Sequence, residues 1–374
     1  MKLTNLLAVV FIIGLAISCS SEDEEVIIPT EKRTFYMGVT PWPADFTVAE
    51  VDTSYAFVNN HCDIVSHHFD DGIPYEEAFN NQPMPLQLQN DVNYRVSHTN
   101  ASKKILLSVS ALNLSRLHKA DYYVNSTVAT AVQDSWENLP VNHPNVVTAY
   151  VNYISWLIDS FQPDYVNYGV ESNVLTFPTA DFALYKDFLS QVYPQLKANY
   201  PNLPFFVSFI VDESTEGFSY ANQLLPYTDY IGLSSYPYVT VSSSVSGNTN
   251  PDLFPANYYE RFINMANKPF VFAETGYIAE NLVIPSYSLN RLGNEVWQKA
   301  YLEKICRLSN QYNAKFVIWF CSKDYDAGIT TIQSLGLYQD LFLFWRDTGL
   351  KDQNGHPRPS YQLWKSWMAK EKTN

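Results

Sequence analysis

The sequence predicts one α/β domain, a closed (β/α)8 TIM barrel, on three observations. Eight short apolar runs recur between residues 35 and 322, amphipathic helical patterns separate them, and the joins after the runs are longer than the joins before them. Regular alternation of strand and helix implies a parallel sheet with crossover helices. Eight such units close on themselves. The length of 374 residues suits one such domain. The alternative is a doubly wound open sheet, but no glycine-rich turn follows the first run to hold a phosphate.

The runs, in order, are FYMGVTP, CDIVSHHF, KKILLSVS, DYVNYGVE, PFFVSFIV, DYIGLSSYP, PFVFAETG and KFVIWFCS. Each is rich in Val, Ile, Phe or Tyr and too short for a helix. Between them, Val147, Val151, Ile154, Ile158 and Phe161 fall on one helical stripe. So do Tyr185, Phe188, Leu189, Val192 and Leu196, and again Trp297, Ala300, Tyr301, Ile305 and Leu308. Helix-to-strand joins are brief, as in SFQPD, NYPNLP and ANKP. The joins after the second, third, sixth and eighth runs are long, which places elaboration on the carboxyl face, where such barrels carry active sites.

Ahead of the barrel, residues 1–18 read as a lipoprotein signal peptide: Lys2, then LLAVVFIIGLAIS, then Ser18 before Cys19. A plain secretory signal is the alternative. Residues 19–32 read as an acidic, flexible tether with too few apolar side chains to pack, and residues 33–374 as the barrel. Lipidation of Cys19 would anchor the chain to a membrane. The acidic stretch after that cysteine resembles the surface-export signal of Bacteroides-type lipoproteins, which implies the outer face of the outer membrane. Cys62, Cys306 and Cys321 are an odd set without close spacing, so they are expected as buried thiols rather than disulfides or a zinc site.

A formal charge of -14 disfavours nucleic acid as a partner. Aromatic residues make up 15% of the chain, with 27 Tyr and 8 Trp, and such rings stack on apolar faces while their polar tips hydrogen-bond. Neutral sugars fit that surface. No cofactor and no metal is expected, and the chain is expected to be a monomer.

Two runs end in a glutamate, Glu171 in YVNYGVESN and Glu274 in KPFVFAETGY. By strand parity Tyr165, Asn167, Gly169 and Glu171 share one side, and so do Phe270, Phe272 and Glu274. The fourth and seventh strands stand on opposite sides of a barrel lumen, so the two carboxyls are expected to meet over its mouth. About 5 Å between them suits retaining glycoside hydrolysis, and about 6.5–9.5 Å inversion. Asp212 and Glu213, after the fifth run, are the competing acids.

With the acids after the fourth and seventh strands, the pattern resembles clan A of the glycoside hydrolases, and within it the arabinogalactan endo-β-1,4-galactanases, family fifty-three. DYVNYGVESN resembles that family's strand four, DYIGLSSYPY its strand six and FVFAETGY its strand seven. The resemblance implies a retaining hydrolase of β-linked glycans, with Glu171 as acid/base and Glu274 as nucleophile. The chain departs from clan A at Val170, where the clan carries Asn beside the 2-hydroxyl, and it lacks the arginine of strand two.

Six further residues are candidate sugar contacts: Trp319, at the end of the eighth run, as a platform; Tyr236, as hydrogen-bond donor to Glu274; Tyr238; Trp42; His68; and Asn173, as substitute for the missing asparagine. Each has a plainer reading as a core or structural residue. His67 and His68 point to opposite faces and cannot share one metal. Two other readings stay open: a non-catalytic surface glycan-binding lipoprotein on the same scaffold, which Val170 favours, and a transglycosylase using the same pair.

Overall fold

The computed structural model describes residues 31–174, 177–241 and 247–373. The signal peptide, Cys19 and most of the tether fall outside the described residues. Eight parallel strands form a closed barrel: β1 (Tyr36–Val39), β2 (Ile64–Phe69), β3 (Lys104–Val109), β4 (Tyr165–Gly169), β5 (Phe205–Ile210), β6 (Ile231–Ser235), β7 (Phe270–Thr275) and β10 (Phe316–Trp319), with β1 pairing both β2 and β10. The intervening β8 (Leu282–Ile284) and β9 (Leu289–Arg291) make a small antiparallel hairpin in the β7 loop. That loop is a further elaboration of the carboxyl face, and its three-residue strands are too short to stand out in a sequence pattern.

The three apolar stripes lie on the helices Pro144–Phe161, Thr179–Asn199 and Glu295–Gln311. Their faces join the outward side chains of the strands in one large layer that includes Val166, Tyr168, Phe272 and Val317. A second cluster, of Ile64, Leu106, Phe206, Val271, Ala273, Phe316 and Ile318, fills the barrel interior. Interior parity then continues upward into polar residues. Ser66 and His68 follow Ile64, Ser108 and Ser110 follow Leu106, and Ser208 follows Phe206. Asn167 Nδ2 binds both Ser108 Oγ (3.1 Å) and Ser208 Oγ (3.2 Å), tying β3, β4 and β5 together just beneath the mouth. Cys62, Cys306 and Cys321 are buried free thiols.

Parity fails as a guide at the end of β7. Phe270 and Phe272 pack outward, and an irregularity between Phe272 and the register pair Ser234–Glu274 turns Glu274 to the mouth. A bulge inserts a residue and re-aims the side chains beyond it. On β10, Ile318 faces the interior, so Trp319 faces the helices.

Candidate functional site

Glu171 lies two residues past β4 with φ +51, a left-handed conformation that costs a non-glycine residue about 1–2 kcal/mol. Local bonds hold it there. Its N–H donates to Ser208 Oγ at 2.9 Å, and the next N–H, of Ser172, donates to the Ser208 carbonyl at 2.8 Å. The kink carries the carboxyl over the barrel. Both oxygens accept hydrogen bonds there, Oε1 from Ser234 Oγ at 2.7 Å and Oε2 from Arg116 Nε at 3.0 Å.

Ser234 on β6 is the register partner of Glu274 on β7. One serine therefore stands level with one glutamate and bonds the other, which brings both acids to the same mouth. Tyr236, just past β6, donates its hydroxyl to Glu274 Oε1. Gly276 lets this ring close in: a Cβ there would stand 2.6 Å from the Phe320 carbonyl oxygen and 3.1 Å from Tyr236 Cε1. Burial pushes the Glu274 carboxyl above its ordinary pKa, and the Glu171 charge adds to the rise; His68, the Tyr236 hydroxyl and Arg116 oppose it.

The other side of the mouth is a charged chain. Arg116 sits in the β3 loop with φ +59 and is 9% exposed. Its Nη1 donates to Asp70 Oδ1 and Oδ2, each at 2.9 Å, and to the Asn113 carbonyl at 3.1 Å. Asp70 in turn faces His68 Nε2 at 3.5 Å. Burial alone would lower His68, but the Asp70 hydrogen bond and the charges of Asp70 and Glu274 outweigh it, and the imidazole is raised. Glu171 thus lies against a cation rather than in the apolar setting its strand suggests. Arg116 and Ser234 have no signal in the sequence pattern, because a loop arginine and a strand serine become partners of Glu171 only through closure of the barrel.

The six proposed sugar contacts separate. Tyr236 and His68 stand at the mouth beside Glu274 and Asp70. Trp42 is half-buried on the neighbouring rim, its ring 5.7 Å from Phe320 and 5.8 Å from Phe46. The other three are corrections. Trp319 is fully buried on the helix side, its Nε1 donating to the Thr348 carbonyl at 2.9 Å. Phe320, one residue on, takes the rim place that an outward-facing Trp319 cannot. Tyr238 is fully buried and donates to the Phe344 carbonyl at 2.8 Å, tying β6 to the loop after β10. Asn173 is fully buried and brackets the β4 turn to β5: Oδ1 accepts from the Ile210 N–H (2.7 Å), and Nδ2 donates to the Ile210 carbonyl (3.0 Å) and the Gly217 carbonyl (3.2 Å). No donor of that side chain remains for a ligand. Val170 is buried as well, at 2% exposure.

Of the competing acids, Asp212 accepts from the Ser214 N–H at 2.9 Å in its own turn, and burial pushes it up to about 6. An aromatic wall runs outward from Glu274, with Trp345 5.9 Å from Tyr236 and 6.4 Å from Phe320. Among the described residues, Asp324, Asp326 and Asp347 bring carboxylate oxygens within 4.8 Å of one another. Arg358 already pairs with Asp324, and Arg346 with Asp347.

No protein-family model matches the chain, and no curated protein sequence does. Solved structures do share its fold. An exo-β-1,4-mannosidase from Opitutaceae bacterium strain TAV5 superposes with a TM-score of 0.62 at 14% identity, over 92% of this chain and 61% of that one. The present chain thus spans less than two thirds of that protein. A GH5_18 protein from Bifidobacterium longum subsp. infantis gives 0.62 at 15% identity, over 92% of this chain and 80% of that one. A GH53 catalytic domain from Ignisphaera aggregans gives 0.58 at 15% identity, over 91% and 98%. At such identities the likeness establishes the barrel.

Proposed function

We propose that the chain is a retaining glycoside hydrolase acting on β-linked bonds of a neutral poly- or oligosaccharide. The observation that carries the reading is the pair of strand-end glutamates joined through Ser234, one held by Tyr236 and the other by Arg116. Two carboxyls in unlike settings at a barrel mouth suit acid and nucleophile chemistry. The glycosidase names among the fold's neighbours, a mannosidase and a GH53 domain, support the same class.

In this mechanism Glu274 attacks the anomeric carbon while Glu171 gives its proton to the departing oxygen. Glu171 then takes a proton from water as that water displaces Glu274. Tyr236 orients the nucleophile and favours its ionised form. Burial opposes ionisation of Glu274 in the free protein, and the Tyr236 hydroxyl is one of the groups that counter it. Transfer to a second sugar in place of water uses the same groups.

The second reading, a glycan-binding protein without turnover, is favoured by the Arg116–Glu171 ion pair, which engages one oxygen of the proposed acid as a structural partner. Release of reducing sugar from β-galactan, β-mannan, β-1,3-glucan and xylan, with Glu274→Ala and Glu171→Gln alongside, separates the two. Turnover lost in both variants supports the enzyme. Glycan binding with no turnover in the unaltered protein supports the binder.

The location belongs to the same proposal: cleavage before Cys19, lipidation of its thiol, and display of residues 33–374 on the outer membrane at the end of an acidic tether. Cys19→Ser would then move the protein from the membrane fraction to the released fraction. Equal membrane retention of both forms would exclude the anchor.

A further inference from the structure

Among the described residues, one edge of Arg116 is only half used. The guanidinium is planar and offers five N–H donors in a fixed fork. Nη1 is spent on Asp70, Ser110 and the Asn113 carbonyl, and Nε on Glu171 Oε2. Nη2 makes no hydrogen bond to any described residue, and it is not among the buried side-chain atoms left without a partner. Nε and Nη2 share the edge that faces Glu171. A carboxylate could take both donors there, but Glu171 takes one, because its Oε1 is turned to Ser234. The free N–H groups therefore lie beside the carboxyl that the proposed mechanism uses as acid.

We infer that Arg116 Nη2 donates to a hydroxyl of the sugar seated in the cleavage position, which makes Arg116 a contact and specificity residue while its Nε holds Glu171 in place. The inference rests on the glycosidase reading. A neutral hydroxyl fits better than a sugar carboxylate on charge. Asp70 and Glu171 already compensate the guanidinium, and Glu274 adds a third carboxyl against His68. An added anion would meet a surplus of negative charge. Hydroxyl contacts near the reacting carbon strengthen as positive charge develops there. An arginine with a rigid fork, anchored at two of its three nitrogens, is positioned to exploit that at little entropic cost.

The test uses the full chain and 4-nitrophenyl β-glycosides of neutral mono- and β-1,4-linked disaccharides, with monodeoxy analogues of whichever is turned over. Arg116→Gln should lower kcat/KM on the parent glycoside by about 10- to 100-fold, the effect of one hydrogen bond from a charged donor. On the analogue lacking the contacted hydroxyl, the loss should shrink to less than about threefold. Arg116→Lys, which keeps the charge near Asp70 without the forked edge, should fold and show the same pattern. An equal loss on every analogue in both variants would reduce Arg116 to a support for Glu171 and overturn the contact. A β-glucuronide preferred over the matching glucoside would overturn the neutral hydroxyl. No nitrophenol or reducing sugar released by the unaltered protein would overturn the glycosidase reading, and this inference with it.

Discussion

Ser234 Oγ donates a hydrogen bond to Glu171 Oε1 at 2.7 Å from the strand position level with Glu274. This serine links the two acids: it holds a carboxyl oxygen of one from its place beside the other. Ser234→Ala removes a hydrogen bond to a charged group, worth about 1.5–3 kcal/mol. The expected outcome is a fall in kcat of about 10- to 100-fold together with a lowered thermal midpoint, read by steady-state kinetics and calorimetry.

Tyr236 acts on the other acid. Its hydroxyl is one of the groups holding Glu274 down against burial, so Tyr236→Phe lets that carboxyl rise further. If ionised Glu274 is the nucleophile, the acidic limb of kcat/KM, which reports the free enzyme, moves to higher pH. An unmoved limb would separate Tyr236 from the nucleophile's ionisation.

Glu274 also sets a stability term with a definite sign. Its pKa in the fold is raised above the ordinary value of 4.5, so the native state binds more protons than the unfolded one between these limits. Its contribution is present below pH 4.5 and is lost as pH rises through the folded value. Glu274→Gln, which cannot ionise, should therefore raise the thermal midpoint at neutral pH, and the gain should vanish near pH 4. A gain independent of pH would exclude this origin.

His68 is shifted upward as Glu274 is, although burial acts on it in the opposite sense. Burial lowers it, and Asp70 is the foremost of the groups that raise it. In Asp70→Asn the imidazole should titrate at lower pH than in the unaltered protein, followed by NMR of the His68 ring. The same change frees Nη1 of Arg116 from its carboxylate, so activity should fall as well.

Trp319 and Phe320 offer a paired comparison. Trp319 is packed wholly against the helices, so Trp319→Ala should lose about 3–5 kcal/mol of stability and leave KM of the folded protein near its original value. Phe320 lies on the aromatic rim with Trp42 and Trp345. Phe320→Ala should raise KM with a smaller change in thermal midpoint. Denaturant unfolding and Michaelis kinetics on both variants read the difference.

These two neighbours also show where sequence pattern stops. Counting alternate residues along KFVIWFCS indicates that Trp319 and Phe320 face opposite ways, but not which of them faces out. The answer came from Ile318, which fills the barrel interior and so sends Trp319 outward. Glu274 is the reverse case. Its parity with Phe270 and Phe272 was plain, and a register shift before the strand end broke it. Asn173 lies close to Glu171 in the chain, yet its amide is used up on β5 and the following helix, which no local reading can foresee.

What the sequence by itself determined is the part governed by period and local composition: eight strands, the helices between them, the loaded carboxyl face, and two acids at strand ends. Those follow from which side chains must leave water and how often they recur. Tertiary structure decided what the acids meet. Arg116 reaches Glu171 across 55 residues of chain and Ser234 reaches it across 63, because closing the sheet into a cylinder brings β3 and β6 to one mouth. Charge and hydrogen bonding act over a few ångströms of space, and only the closed fold specifies which distant residues come within that reach.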